Sequence, residues 1–381
     1  MSYSSNTLIT PQMVARAALA RLRNNLVYVG LMHRDYSSDF ANRVGDTVNV
    51  RVPATLTAAK FTTSITTQDT TESYVAVKLN KIADVSVVIT AKEWALSLQD
   101  FEDQIVGPAA DALAQMIDVD AASTIFGNAG STVSCLSATI STLANIADIS
   151  KYLDVNKTPN KDRNLVMSPY HKYRYGLVEN LAKASYAGDN EMLRKADLGP
   201  VFGMQTFMDQ NTPVSTAATS GTATGTIKVA SSSDSGEVDL TEGSGATATL
   251  KIGDGFVYVD ADGFGTLYRF TQDVTLSGSA LASMTVSPAF PAGISATTCY
   301  IVRNGSSLAF HKDAAAFVTR PLEVPQGAAK AYVASADNFS IRVVFDYDPT
   351  YKRDTISFDV LYGVKMLRTT LAVRLVDGTL A

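Results

Sequence analysis

The segment from Thr47 to Leu79 constrains this chain most. Val48, Val50 and Val52 alternate with Thr47, Asn49 and Arg51, the period-two pattern of a strand; Val75, Val77 and Leu79 alternate with Tyr74, Ala76 and Lys78 in a second. Between them lie roughly twenty residues dominated by Thr, Ser and Ala, against two to five in an ordinary hairpin loop. The pattern predicts an extended two-stranded loop over residues 46–80. A lone hairpin is marginally stable in water, so a long one needs support from outside itself. A plain flexible loop is the alternative, but strand signals on both flanks favour an element that lies on a neighbour.

A third strand, marked by Val85, Val87 and Ile89, leads into a helix. Thr90 with Glu93 three residues on is a capping box, and Trp94, Leu98, Phe101 and Ile105 follow at helical spacing. Gly107-Pro108 predicts a break or kink, after which Ala109, Ala112, Leu113, Met116, Ile117 and Ile125 resume the apolar face. If this second part is continuous to Phe126 it is about 28 Å long, enough for a structural spine. Upstream, Thr10 and Pro11 fit a helix start. Val14, Ala17, Ala18, Leu22 and Leu26 then give an apolar face and Arg16, Arg21 and Arg23 the remainder, before an irregular arm from Tyr28 to Asn42. Such a helix can dock on a partner as readily as on its own domain.

Residues 140–210 alternate helix and strand, the mark of an α+β domain: a helix at Ile146–Leu153, a buried strand at Asn164–Met167 stopped by Ser168-Pro169, a helix at Tyr170–Leu181, and a strand pair in Leu198–Met208 around Val201, Phe202, Met204 and Phe207. From Pro213 to Gly305 the composition shifts to Ser, Thr, Gly and Ala with short alternating runs, among them Ile227/Val229, Val238/Leu240, Leu250/Ile252, Phe256/Tyr258, Leu267/Phe270, Val274/Leu276, Met284/Val286 and Tyr300/Val302. Asp254-Gly255, Asp262-Gly263 and Asn304-Gly305 punctuate them as turns. This is an all-β module, a barrel or sandwich, inserted into the α+β domain. Beyond it, Ala309–Val318 reads as a short helix or turn. Strands follow at Ile341/Val343/Phe345, Ile356/Phe358/Val360 and Leu371/Val373/Leu375. These last strands need earlier partners, most simply the strands flanking the long helix.

Composition narrows the function. Hydrophobic residues make up 46% and charged residues only 18%, below the usual quarter; small polar residues fill the deficit, as suits a surface occupied by other proteins. The net charge is −5 with no basic stripe, which argues against specific duplex recognition. Cys135 and Cys299 have no metal-ligand spacing and read as buried free thiols of a reducing compartment. The N-terminus shows no secretory pattern and no run is long enough for a membrane span, which predicts a cytoplasmic origin. Gly243–Ala248 resembles a dinucleotide loop but opens no helix. Asp260-Ala261-Asp262-Gly263 starts like a calcium loop yet continues with Phe264, so a β-turn is expected. His33, His171 and His311 have no paired spacing and read as surface or lightly buried. No catalytic, cofactor-binding or metal-ligating residue is assigned, no cofactor is expected, and a non-enzymatic role is predicted.

The order of parts resembles the Hong Kong 97-type capsid fold of tailed double-stranded DNA phages, and the insertion resembles the I-domain of coat proteins from Salmonella-type short-tailed phages. The strings that carry this are Ile9-Thr10-Pro11 and Val44-Gly45-Asp46-Thr47-Val48 for arm and loop entry, and His311-Lys312-Asp313-Ala314 with Phe317-Val318-Thr319-Arg320-Pro321-Leu322 for the return from the insertion. Asp359-Val360-Leu361-Tyr362-Gly363-Val364 matches the last P-domain strands. The resemblance implies an N-terminal arm (1–45), an E-loop (46–80), a P-domain with spine helix (81–134 and 339–381), an A-domain (135–212 and 306–338) and the inserted β-rich domain (213–305). It implies a major capsid protein, a virion component assembled in the host cytoplasm into pentamers and hexamers of an icosahedral shell, with a scaffolding protein, a portal protein and non-specific contact with packaged DNA as partners. A nanocompartment shell of the same fold is the alternative, and a cytosolic hydrolase a distant third. Lys60, on the E-loop, reads as a solvated lysine in place of the cross-linking lysine of one family type. Loop 54–73 and arm 1–42 are expected to carry most inter-subunit contact.

Overall fold

A computed structural model describes residues 11–34, 47–52, 60, 73–90, 102–135, 143–178, 181, 198–213, 226–232, 236–242, 247–250, 254–261, 265–277, 281–302, 304–325 and 330–377. The helices are α1 (Pro11–Asn25), α2 (Tyr28–Leu31), α3 (Gly107–Asn128), α4 (Ala144–Val155) and α5 (Pro169–Gly176). The early strands are β1 (Thr47–Val52), β2 (Ser73–Lys78), β3 (Lys81–Thr90), β4 (Ser131–Cys135), β5 (Arg163–Met167) and β6 (Gln205–Met208). Then come β7 (Thr226–Ser231), β8 (Gly236–Glu242), β9 (Thr247–Leu250), β10 (Gly255–Val259), β11 (Gly265–Phe270), β12 (Val274–Ser277), β13 (Leu281–Phe290) and β14 (Thr297–Val302). The last are β15 (Asn304–His311), β16 (Ala315–Arg320), β17 (Lys330–Ala336), β18 (Phe339–Asp348), β19 (Arg353–Met366) and β20 (Ala372–Asp377).

Two compact units result: residues 1–124 with 315–367, and residues 125–314 with 368–381. This grouping differs from the domain cuts expected above. β4 and β20, expected with the first body, pair with each other in parallel and continue through β15 into the sheet of the second. β16 and β17, expected with the second body, add to β19 and β18 of the first.

In the first unit a sheet runs β16-β19-β18-β17, and β3 pairs with β19 from Lys81↔Tyr362 to Arg353↔Thr90. The strands alternate because one face is buried: Ala83 and Ile89 on β3, Ile356, Phe358, Val360 and Tyr362 on β19, Ile341 and Val343 on β18. A two-residue turn joins β17 to β18, with Asp337 and Asn338 both at positive φ (48° and 63°), which matches the strands' twist. α1 packs on β17 and β18 through Val14, Ala15, Ala18, Leu19 and Leu22. The amphipathic helix therefore docks on its own unit, and so does the start of the arm, where Tyr28, Val29 and Met32 are buried. Of the two dockings open to the helix, the one on its own domain is found; residues 1–10 and 35–46 lie outside the described residues.

α3 is continuous over 22 residues, about 33 Å. At Gly107-Pro108, where the sequence predicts a break or kink, a single π-helical turn, Glu102–Val106, gives way to the α-helix. Pro108 is the second residue of the α-helix, at the junction with the π-helical turn. The expected phase is partly wrong: Ala112 and Met116 are exposed, while Ala110, Ala114, Asp118, Ala121 and Ala122 are buried. The capping box and Trp94 to Phe101 lie outside the described residues.

In the second unit a mixed sheet runs β4-β20-β15-β5-β6, with α4 and α5 covering a core of Ile149, Leu153, Leu165, Tyr175, Ala309 and Val373. α5 ends at Gly176, short of the expected Leu181. Its first turn is capped by Ser168, whose hydroxyl accepts from the His171 N–H at 3.3 Å. Ahead of β6 there is no strand pair, only a bridge between Val201 and Met204 around a left-handed turn at Phe202 (φ 46°) and Gly203 (φ 75°). Ala309–Val318 is strand, a 3₁₀ turn at Lys312–Ala314, and strand again, with no α-helix. Asn304-Gly305 opens β15 beside a register shift and makes no turn.

Six strands of the β-rich segment close on themselves: β10-β14-β7-β8-β13-β11, sealed by β10 against β11, every pairing antiparallel. This is a barrel, filled by Phe256, Tyr268, Phe270, Phe290, Val238 and Leu240. It meets the mixed sheet where Gly265 of β11 pairs with Thr132 of β4; a Cβ at 265 would lie 2.0 Å from the Thr132 carbonyl oxygen.

Candidate assembly surface

The two strands read from the valine alternation form a ribbon. β1 and β2 pair antiparallel from Thr47↔Lys78 to Val52↔Ser73. The ribbon's root is held on the first unit's sheet. Val77 and Leu79 are buried against Val318 of β16. At Gly363 of β19 the chain comes so close that a Cβ would sit 2.2 Å from the Lys78 carbonyl oxygen. Past the root, Tyr74 is 56% exposed, and Lys60 is exposed as expected. Residues 53–59 and 61–72, the expected loop tip, lie outside the described residues.

After a two-residue link from β2, Lys81 opens β3 and pairs with Asp120 of α3 at 3.0 Å. Asp120 also accepts a hydrogen bond from the buried Tyr362 hydroxyl of β19. Burial, then this carboxylate, raises the Tyr362 phenol above its ordinary range. The triad ties the strand after the ribbon, the long helix and the last strand of the sheet to one another.

The other face of β3 and β19 looks outward. Ile82 is 55% and Val88 47% exposed. Between them Asp84 stands opposite Asp359. Ser357 Oγ lies 2.8 Å from an oxygen of each carboxyl. Arg342 of β18 donates to Asp359 Oδ2 through Nε (2.9 Å) and Nη2 (2.5 Å). Ser86 Oγ lies 3.1 and 3.2 Å from the two Asp84 oxygens. Burial, then the facing Asp84, pushes the Asp359 carboxyl up; its bond with Asp359, reinforced by Ser357 and Ser86, holds Asp84 down.

The second unit presents its own outward features. β6 is the last strand of the mixed sheet, with Phe207 and Met208 exposed; Phe202 ahead of it is exposed too, as are Tyr173 in α5 and Leu177 just past its end. Inside, two histidines expected at or near the surface are buried, a correction to that reading: His171 and His311. His171 Nδ1 lies 2.7 Å from Ser307 Oγ, and its ring meets Tyr175 edge-on. Burial, then the charge of Arg174, brings its pKa down to about 4. His33 is partly buried, as read. Cys299 is buried in the barrel, its thiol pushed up to about 12 by burial; the Cys135 side chain lies outside the described residues. Arg374, also buried, donates to the Phe126 carbonyl and Thr132 Oγ1, both at 2.6 Å, so its charge faces the C-terminal end of α3. Among the described residues no group of three or more His, Cys, Asp or Glu side chains is placed to hold a metal. No described helix is long and apolar enough to cross a membrane.

The sequence reading missed these polar anchors. Asp111, Asp118 and Asp120, three acids in a helix with no other charged residue, were the visible signal; Asp84 and Asp359 gave none, because an acid on the outward face of a strand is ordinary.

No protein-family model matches the chain, and no curated protein matches its sequence. Solved structures do. A structure from Mycobacterium phage Che8 superposes with a TM-score of 0.54 at 14% identity, over 92% of this chain and 90% of that one. The mature capsid of bacteriophage PhiM1 gives 0.51 at 12% identity, over 93% and 88%. The capsid of cyanophage P-SCSP1u gives 0.50 at 13% identity, over 88% and 85%. The fold is one found in phage capsids. At these identities the likeness is one of architecture, and it extends over nearly the whole of each chain.

Proposed function

We propose that this chain is the major capsid protein of a tailed double-stranded DNA phage, of the Hong Kong 97 type, which assembles with copies of itself into the icosahedral shell around the genome. The match in fold over about nine-tenths of both chains to phage capsid structures carries this reading. In it the ribbon β1–β2 is the E-loop, α3 the spine, the sheet around β19 the P-domain, and the mixed sheet the A-domain, with the barrel as the inserted domain. The role is structural and not enzymatic. Pentamers and hexamers, a scaffolding protein, a portal and loose contact with packaged DNA are the partners this reading brings, and the virion is its location.

The physics of such a role fits the chain. A ribbon that is rooted on its own sheet but exposes Tyr74 beyond the root can reach a neighbour. Many modest contacts of this kind, closed into a shell, gain from multivalency while each can reopen to correct errors. Electron microscopy of the purified protein, alone and co-expressed with a scaffolding protein, tests the reading. Hollow particles are expected from the full chain, and a folded protein without particles after deletion of residues 58–70. A full chain that stays a compact solitary monomer in every condition would overturn the reading, and normal shells from the deletion would overturn the role of the ribbon.

A further inference from the structure

We propose that Asp84 and Asp359 share one proton, and that this makes the hold of β3 on β19 tighten on mild acidification and slacken toward neutral and higher pH. The inference is independent of the capsid reading. It begins with register: the two carboxyls are direct partners on adjacent antiparallel strands, where like charges oppose pairing. Ser357 Oγ stands 2.8 Å from both, but a hydroxyl has one proton and satisfies one carboxylate at a time. Arg342 satisfies the far oxygen of Asp359. Two carboxylates and one guanidinium leave an excess negative charge, which a proton bridging the two carboxyls removes.

Among the described residues the other charged groups on this face are few. Arg320 of β16 stands opposite Leu361, two residues beyond Asp359. Glu323 follows β16 and offers its backbone carbonyl to Arg342 Nη1 at 2.8 Å. Asp346 and Asp348 lie further along β18, with Arg353 opposite Asp348. Lys78 of β2 runs beside Gly363. The pair's upward-moved member, Asp359, and downward-moved member, Asp84, agree with one proton held by the pair and the second resisted. The linkage then has a definite sign. An acid whose folded pKa is raised contributes stability below its ordinary titration, lost as pH rises through the raised value; the lowered member contributes the reverse at lower pH. β3 is therefore held best between the two. Because only two residues separate β2 from β3, the ribbon's root lies next to this hold.

The test uses the full chain and D84N. A carboxamide at 84 donates permanently to Asp359 and mimics the protonated pair. Urea midpoints from pH 4 to 8 should fall with rising pH in the wild type relative to D84N, with D84N the more stable at pH 8; the His171 contribution is common to both and cancels. Carboxyl-carbon NMR of the wild type provides a reading that does not depend on any variant: Asp359 should ionise above the ordinary carboxylate range, and below it in D84N, where Arg342 remains. Parallel midpoint curves, a less stable D84N at pH 8, or a wild-type Asp359 that ionises below the ordinary range would each overturn the proposal.

Discussion

Asp118 shows how much a single side chain arranges in this protein. It is fully buried in α3, yet its carboxylate serves another helix: it accepts from the backbone N–H groups of Val27 (2.7 Å), Tyr28 (3.4 Å) and Val29 (3.2 Å). These are the open donors at the start of α2, where a negative charge is also favoured by the helix dipole. Replacing Asp118 with Ala should lower stability by about 1.5–3 kcal/mol, read as a drop in urea midpoint, because the donors stay buried without their acceptor. Asn, which keeps one acceptor oxygen, should fall between. His171 carries a pH signature of its own. Its folded pKa of about 4 lies below the ordinary 6.5, so the unfolded chain takes up a proton that the folded chain refuses. Stability is full above about 6.5 and declines as pH falls, by about 3 kcal/mol at pH 4. His171→Gln should flatten that slope; an unchanged slope would show that the ring does not stay neutral on folding.

Elements were legible where apolar and polar residues alternate along the chain. The valine runs of β1 and β2, the alternation of β3, β18 and β19, and the barrel strands all follow from period two. The expected partnership of the C-terminal strands with those flanking the long helix is realised twice, β19 on β3 and β20 on β4. What failed was phase and punctuation. α3 is apolar on most of its circumference, with Ala at many positions, so periodicity could not choose between Met116 and Ala114 as the inward residue. The choice was made by three acids reaching specific partners, Asp111 at Arg21 and Asn25, Asp118 at α2, and Asp120 at Tyr362 and Lys81. Asn304-Gly305 is a turn signal locally, but pairing with Val376 and Asp377 absorbs it as an irregularity in β15. The candidate surface was legible as strand–loop–strand, while its carboxyl pair depended on register that no local pattern encodes. The root of the ribbon offers a test at this scale. Gly363→Ala places a methyl carbon against the Lys78 carbonyl, so either β2 or β19 must shift. Amide exchange over residues 73–79 should accelerate at least about tenfold while the barrel's stays unchanged, since local opening is measured by exchange. Unaltered exchange at 73–79 would mean that the close approach does not hold the ribbon.

On the scale of the whole molecule, the barrel has what a separable body requires. Its apolar cluster lies entirely between Val229 and Cys299, with Leu250 of β9 joining residues of the six barrel strands, and its entry and exit lie side by side, with Thr226 paired to Tyr300. A fragment of residues 222–303 should fold alone, unfolding in one cooperative transition, since an independent core is the physical criterion of a domain. A fragment without a cooperative transition would show that the seam at Gly265 supplies essential support. The pairing of β3 with β19 carries a different consequence, one of timing during synthesis. Thr90 leaves the ribosome long before its partner Arg353, and at roughly 5–20 residues per second the wait is on the order of ten to fifty seconds. For that interval the strand behind the ribbon has no mate in its own polypeptide, and the nascent chain must be kept from finding one in another.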